Sequence, residues 1–191
     1  MKNIGFDIDG TLTDESLGGK LDKDIWFEEI TEYFNLDLEE RIKTVYDFRE
    51  SYGITTAEML EFLENRAEKI FKRVIPYQNA PKVLNYLKNK RINIFFITAR
   101  DKEYYKVTKE WFNNHNLYYD KIIHSKNKSK DCLKFNIDLF VDDKLSTIKK
   151  IKNNNPKIEL LLKNSFHNQE NINVKRVNNW REINEIIKKR V

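Results

Sequence analysis

Cysteine, proline and glycine are scarce in this chain, and long apolar runs are missing. The 191 residues include one cysteine, Cys132, which excludes an internal disulfide and a multi-cysteine zinc site. The three histidines, His115, His124 and His167, are scattered, so a histidine-built metal centre is not expected. Apolar runs such as those within 92–97 and 160–162 fall far short of the roughly 20 residues that span a bilayer. Met1-Lys2-Asn3-Ile4-Gly5 leads straight into acidic residues, so no signal-peptide core is expected either. What is there is 40% hydrophobic, 13% aromatic and 34% charged, enough to bury a core and too apolar for disorder. The expectation is a soluble cytoplasmic protein of one domain, or of one domain carrying an insertion.

The net charge of +5 conceals an asymmetry. Residues 15–75 carry 9 basic and 15 acidic side chains, whereas residues 76–191 carry 25 basic and 12 acidic ones. A uniformly basic chain would point to nucleic acid, but an acidic stretch set into a basic remainder does not. Charge runs are usually solvated faces, and the excess lysines are read that way. The asymmetry itself argues for two structural parts.

All five glycines fall in the first 53 residues, at 5, 10, 18, 19 and 53. Ile4-Gly5-Phe6-Asp7-Ile8 reads as a short buried strand, broken by Asp9-Gly10 into a turn. From Leu21 to Val74 the spacing is helical: Trp26, Phe27, Ile30 and Phe34 share one period, and Met59, Leu60, Leu63, Ile70 and Phe71 another. Thr55-Thr56-Ala57-Glu58 is a capping-box signature. Beyond Pro76, helices alternate with apolar runs. Helices are expected near 81–89, 102–114, 130–135, 146–153 and 179–189, with strands at 92–97, 121–124, 137–141 and 158–162. That alternation predicts an α/β fold with a doubly wound parallel sheet, Rossmann-like, and a small helical cap inserted after the first strand. The core would comprise 1–15 and 76–191, and the cap 16–75. Gly18 and Gly19 sit where a cap would leave the core and suit a hinge.

Ligands of such sheets bind beyond the carboxyl ends of the strands. There stand Asp7-Ile8-Asp9-Gly10-Thr11, then Thr98-Ala99-Arg100, then Asp142-Asp143, with Lys126, Lys128 and Lys130 between the last two. Four carboxylates at one edge repel one another unless a cation neutralises them. Oxygen ligands favour a hard ion, Mg²⁺ first, which completes its shell with water and phosphate. A carboxylate can attack phosphorus to give an aspartyl-phosphate, and a second one can protonate the leaving alcohol. Thr98 and a lysine would hold the phosphoryl oxygens.

Asp-x-Asp-Gly-Thr at the first strand, Thr98 at the second, a lysine and a closing Asp-Asp pair resemble the haloacid dehalogenase superfamily of phosphohydrolases. Ile97-Thr98-Ala99-Arg100, Trp111-Phe112, Tyr119-Asp120-Lys121-Ile122, Lys128 four residues before Cys132, and Ile137-Asp138-Leu139-Phe140-Val141-Asp142-Asp143 are closest to its cytosolic deoxyribonucleotidase (type C 5'-nucleotidase) branch. The resemblance implies a Mg²⁺-dependent 5'(3')-(deoxy)nucleotidase that hydrolyses nucleoside monophosphates, small phosphate monoesters. The short apolar runs argue against a membrane partner and the acidic stretch against long nucleic acid. It makes Asp7 the nucleophile and Asp9 the acid/base. Mg²⁺ would be held by the Asp7 carboxylate, the Asp9 carbonyl and Asp143, with Asp142 supporting the shell. Thr98, Ala99 and Lys128 would bind phosphate, and Arg100 would contact substrate or pair with an acidic neighbour. The branch often has an aromatic-Asn pair after the next strand; Phe166-His167-Asn168 departs from it.

Other readings compete. A polynucleotide 3'-phosphatase or a sugar phosphatase shares these core motifs. A phospho-receiver domain also uses Asp, Thr and Lys, but lacks Asp-x-Asp-Gly-Thr and a cap. A binding domain without catalysis fits poorly, because every motif residue is present. Locally, Asp7 could cap a turn, Thr98 a helix, and Cys132 could be a small core residue.

Overall fold

The computed structural model describes residues 1–17, 24–38 and 45–190. Gly18 and Gly19, the expected hinge, and the expected helix start at Leu21 lie outside these residues.

β1 (Asn3–Phe6) opens the chain. Just beyond it the backbone folds back tightly, the Thr11, Leu12 and Thr13 amides all reaching the Ile8 carbonyl at 3.3, 2.8 and 2.9 Å. β2 (Thr13–Asp14) follows at once. α1 (Ile25–Phe34) is capped by Asp24, α2 (Phe48–Tyr52) by Asp47, and α3 (Thr56–Arg73) by the Thr55–Glu58 capping box. β3 (Ile75–Pro76) then returns antiparallel to β2, Asp14 opposite Ile75 and Thr13 opposite Pro76. The chain therefore leaves and re-enters at adjacent points, with the three helices between them. Glu29 of α1 has a fully buried side chain and pairs with Arg66, Lys69 and Arg73 of α3.

The remainder alternates. It runs α4 (Ala80–Asn89), β4 (Asn93–Thr98), α5 (Tyr105–Asn114), β5 (Lys121–His124), α6 (Lys128–Lys134), β6 (Leu139–Asp142), α7 (Leu145–Asn154), β7 (Glu159–Lys163), β8 (Lys175–Val177) and α8 (Trp180–Lys188). The strands form one six-stranded sheet in the order β5-β4-β1-β6-β7-β8, every described pairing parallel. The chain order jumps away from β1 in both directions, which puts the switch point of the topology at β1. Phe6 pairs with Phe96 and with Val141, so the segments after β1, β4 and β6 emerge together at one edge.

Side-chain alternation along each strand builds two cores. Ile4, Phe6, Phe96, Val141 and Leu161 face α4, α5 and α8, and that core continues into Trp26, Phe62 and Phe71 of the helical insertion. On the opposite face Ile97, Phe140 and Leu162 pack with Cys132 of α6 and with Ile148 and Ile151 of α7. Trp180 stacks on Phe6 at 5.0 Å, and its indole nitrogen donates to the Thr11 carbonyl at 3.0 Å, fixing the loop that follows β1. Gly5 is required by packing, because a Cβ there would stand 2.5 Å from the Phe140 ring.

The α/β alternation and the parallel sheet match the sequence reading. Element ends shift by up to three residues: the strand expected at 137–141 starts at Leu139, and the helix expected at 102–114 becomes α-helical at Tyr105. There are three further differences. Lys175-Arg176-Val177 forms an edge strand with one fully buried side chain, too little pattern to read from sequence. The helix expected at 130–135 begins two residues earlier, because the Asn127 side chain caps it. Leu60, grouped with the buried face of α3, is 58% exposed, while Phe62 is fully buried.

Candidate active site

Asp7 follows β1, and its amide donates to the Val141 carbonyl of β6 at 2.9 Å, so the sheet ladder itself aims the residue. Lys128, at the start of α6, sends its ammonium to Asp7 Oδ1 at 2.7 Å and to Asp142 Oδ2 at 2.8 Å. Asp142 Oδ1 accepts from the Lys144 amide at 2.7 Å. Asp143 accepts from the Thr11 hydroxyl at 3.4 Å, and its own carbonyl accepts from Asn168 Nδ2 at 2.7 Å. Asp7, Asp142 and Asp143 are all buried, with carboxylate oxygens within 4.8 Å of one another. Gly10 makes room: its φ is +72°, and a Cβ would lie 2.6 Å from Asp143 Oδ2.

Electrostatics sharpens this picture. Burial pushes the Asp7 carboxyl well above its ordinary range; Lys128 opposes that, and Asp142, Asp143 and Asp9 reinforce it. Asp142 is raised chiefly by burial as well. Burial alone would lower the Lys128 ammonium, but Asp142 and Asp7 outweigh it and hold the lysine charged. Three carboxylates against one ammonium leave a buried excess of negative charge. A donor set of oxygens with that excess fits a hard divalent cation.

The three lysines between the last two strand ends, of which the resemblance favours Lys128, separate cleanly. Lys126 is exposed and pairs with Asp101 at 2.8 Å, Lys130 is exposed, and Lys128 alone among them reaches Asp7. Thr98 ends β4 fully buried, its hydroxyl accepting from the Arg100 amide at 3.2 Å. Ala99 is exposed on the wall of the cavity. Arg100 is buried and forks onto Asp9: Nε lies 2.9 and 3.1 Å from the two carboxylate oxygens, and Nη2 2.5 Å from Oδ1. The Asp9 carboxylate thus stands apart from the three clustered ones. Cys132 is packed among apolar side chains, its thiol pushed up to about 12 by burial. That is the environment of a core residue rather than of a nucleophile.

A cavity of about 1330 Å³ opens over this edge, between the strand ends and the helical insertion. Asp9, Asp143 and Arg100 line its floor, and Trp26, Phe27 and Phe48 stand on its far side. Of two further contributors, sequence reasoning named Asn168 only within a triplet that departs from the branch's pattern, without a role, and did not name Lys144. Asn168 is fully buried and ties the Asp143 carbonyl to the Lys163 carbonyl, the second at 2.8 Å. His167 Nε2 lies 3.2 Å from Asp143 Oδ2, its ring edge-on to Tyr46 at 4.9 Å, and Lys144 Nζ lies 4.3 Å over the Tyr46 ring. The substituted Phe166-His167-Asn168 triplet is the signal that pointed there; nothing local marked Lys144.

Residues 2–191 match the model of the family described as "5' nucleotidase, deoxy (Pyrimidine), cytosolic type C protein". The chain belongs to this nucleotidase family. Membership makes it a phosphoric monoester hydrolase of the haloacid dehalogenase type. It is 32% identical over 186 residues to a protein of Bacillus subtilis (strain 168) that carries the name "Putative nucleotidase YqfW", covering 95% of this chain and 91% of that one. A nucleotidase of Clostridium acetobutylicum is 26% identical over 189 residues, covering 97% and 93%. In fold the enzyme is similar to a haloacid dehalogenase-superfamily hydrolase from Ehrlichia chaffeensis (TM-score 0.61, 16% identity, 99% and 98% covered). A structure described as a predicted phosphatase from Clostridium acetobutylicum is similar as well (TM-score 0.69, 18% identity, 98% of each chain covered). The nucleotidase's described residues contain no helix long and apolar enough to cross a membrane.

Proposed function

We propose that this enzyme is a Mg²⁺-dependent nucleotidase that removes phosphate from nucleoside monophosphates, and that residues 16–75 are its cap. The observation that carries the reading is Asp7 itself: a buried carboxylate at the switch point of the sheet, 2.7 Å from Lys128 and inside the acidic cluster, beneath a cavity with aromatic walls. Asp7, Asp143 and the Asp9 carbonyl would hold Mg²⁺, with Asp142 in support. Bound there, the ion would neutralise the cluster and the charge of the incoming phosphate.

The chain's own residues supply the rest. Lys128, the Thr98 hydroxyl and the Ala99 backbone draw in the phosphoryl oxygens. An Asp7 oxygen attacks phosphorus, forming the Asp7–O–P bond while the bond from phosphorus to the ester oxygen breaks. Asp9 gives its proton to the leaving oxygen, then takes one from the water that attacks phosphorus. The second attack breaks the Asp7–O–P bond and returns a free carboxylate and phosphate. Aromatic walls suit a base, which a bare sugar lacks. The acidic insertion disfavours an extended phosphate backbone.

The test is phosphate release from a panel of nucleoside monophosphates, hexose phosphates and 3'-phosphorylated oligonucleotides at equal low salt. Activity should vanish in EDTA and return with Mg²⁺, with the highest kcat/KM on a nucleoside monophosphate. Activity undiminished in chelator removes the metal, and preference for the oligonucleotide replaces this reading with a 3'-phosphatase.

A further inference from the structure

We infer that Arg100 is the positioning residue for the Asp9 carboxylate, and that the helical insertion sets that position through Phe71. The inference rests on the reading of Asp9 as the acid that protonates the leaving oxygen. A guanidinium meant to grip substrate presents its N–H groups to the cavity. Arg100 touches the cavity only with its edge: its side chain is 1% exposed, whereas that of Asp9 is 31% exposed. Three of its contacts go to the two Asp9 oxygens, and Nη1 donates to the Thr108 hydroxyl of α5 at 3.3 Å. One face of the guanidinium is covered by the Phe71 ring of α3, 3.8 Å away.

The arrangement is a fork with three supports. Thr98 holds the Arg100 amide, Thr108 fixes one end of the guanidinium, and Phe71 closes its face. A planar fork fixes both oxygens of a carboxylate and so fixes its rotation, which a lysine's single ammonium cannot do. Phe71 belongs to the insertion and Thr108 to the core. The orientation of Asp9 therefore depends on α3 being seated against the strand ends. Arg100 acts through Asp9. Holding both oxygens as acceptors on one side, it turns the exposed side of the carboxyl, where the donated proton must sit, toward the leaving oxygen. Its loss should misaim that proton, slow protonation of a poor leaving group and leave phosphate binding by Lys128 and Thr98 in place.

Single-turnover rates of leaving-group release test this, because they read the first step alone. The two substrates are a nucleoside monophosphate, whose alkoxide needs a proton, and p-nitrophenyl phosphate, whose phenolate leaves without one. Arg100→Lys should slow nucleoside release by about 10- to 100-fold, with nitrophenolate release and KM each changed by less than about 3-fold. Phe71→Leu keeps the arginine and should show the same split, smaller. Guanidinium ion added to Arg100→Ala should restore nucleoside release in part. Asp9→Asn is the reference. If Asp9→Asn slows both substrates equally, the acid reading of Asp9 fails and this inference with it. If Asp9→Asn shows the split and Arg100→Lys does not, only the role of Arg100 is overturned. A raised KM at unchanged rate in Arg100→Lys makes the arginine a substrate contact and overturns it too. An intact Phe71→Leu enzyme without the split removes the insertion from the argument.

Discussion

Asp7 is held where a carboxylate is least comfortable, and that discomfort is the source of its chemistry. Buried beside Asp142 and Asp143, it pairs with one ammonium that it must share with Asp142. Asp7→Asn keeps the shape, removes the attacking charge and relieves the repulsion. Turnover should fall by several orders of magnitude while the metal-free variant melts at a higher temperature than wild type, both read on the same preparation. Gly10 shows the opposite economy, a residue chosen for having nothing. Its positive φ and the 2.6 Å approach to Asp143 mean that Gly10→Ala must strain the backbone or push that carboxylate aside. Mg²⁺ titrated by calorimetry should bind Gly10→Ala more weakly, with the fold retained by circular dichroism.

Among the elements, the strands carry the chemistry and the inserted helices carry the charge that holds them together. Ladder pairing delivers Asp7, Thr98 and Asp142 to one edge with no side-chain help. α1 and α3 are joined by aromatic packing and by Glu29, whose buried carboxylate meets three cations of α3. Glu29→Ala leaves Arg66, Lys69 and Arg73 without that partner, but those side chains are 27–45% exposed and regain water. The cost is therefore about 2 kcal/mol, nearer a lost charged hydrogen bond than a stranded buried ion. For a chain of this length that lowers Tm by about 4–8 °C, measurable by calorimetry.

At the scale of the whole molecule, an acidic insertion is joined to a basic core, and stability depends on pH through groups outside the carboxylate cluster. Burial lowers the pKa of His115, and burial is likewise the leading cause for His124. Their folded values lie below the ordinary 6.5, so between the two values the unfolded chain binds more protons. Stability from this source is complete above the unfolded value and is lost as pH falls through it. Comparing thermal unfolding at pH 7.5 and 5.5, the His115→Gln/His124→Gln variant should lose less Tm than wild type; an equal loss would assign the slope to other groups.

Sequence alone determined the α/β alternation, the parallel sheet and the strand-end carboxylates, because hydrophobic periodicity and turn chemistry are local and Asp7-Ile8-Asp9-Gly10-Thr11 carries its chemistry in one short run. It also isolated the capping box at Thr55, for the same reason. The residues alone left Lys126, Lys128 and Lys130 open and only the family resemblance favoured Lys128; the physical reason for the difference among them lies in the fold. All three are lysines within five residues, and only the direction of α6 buries one of them between Asp7 and Asp142. The Arg100–Asp9 fork spans 91 residues, and Asn168 reaches Asp143 across 25. No local pattern encodes such pairs, because they arise from which strands become neighbours. The two-residue ladder of β2 and β3 is likewise too short to alternate, so only the packed chain shows where the insertion leaves the core and where it returns.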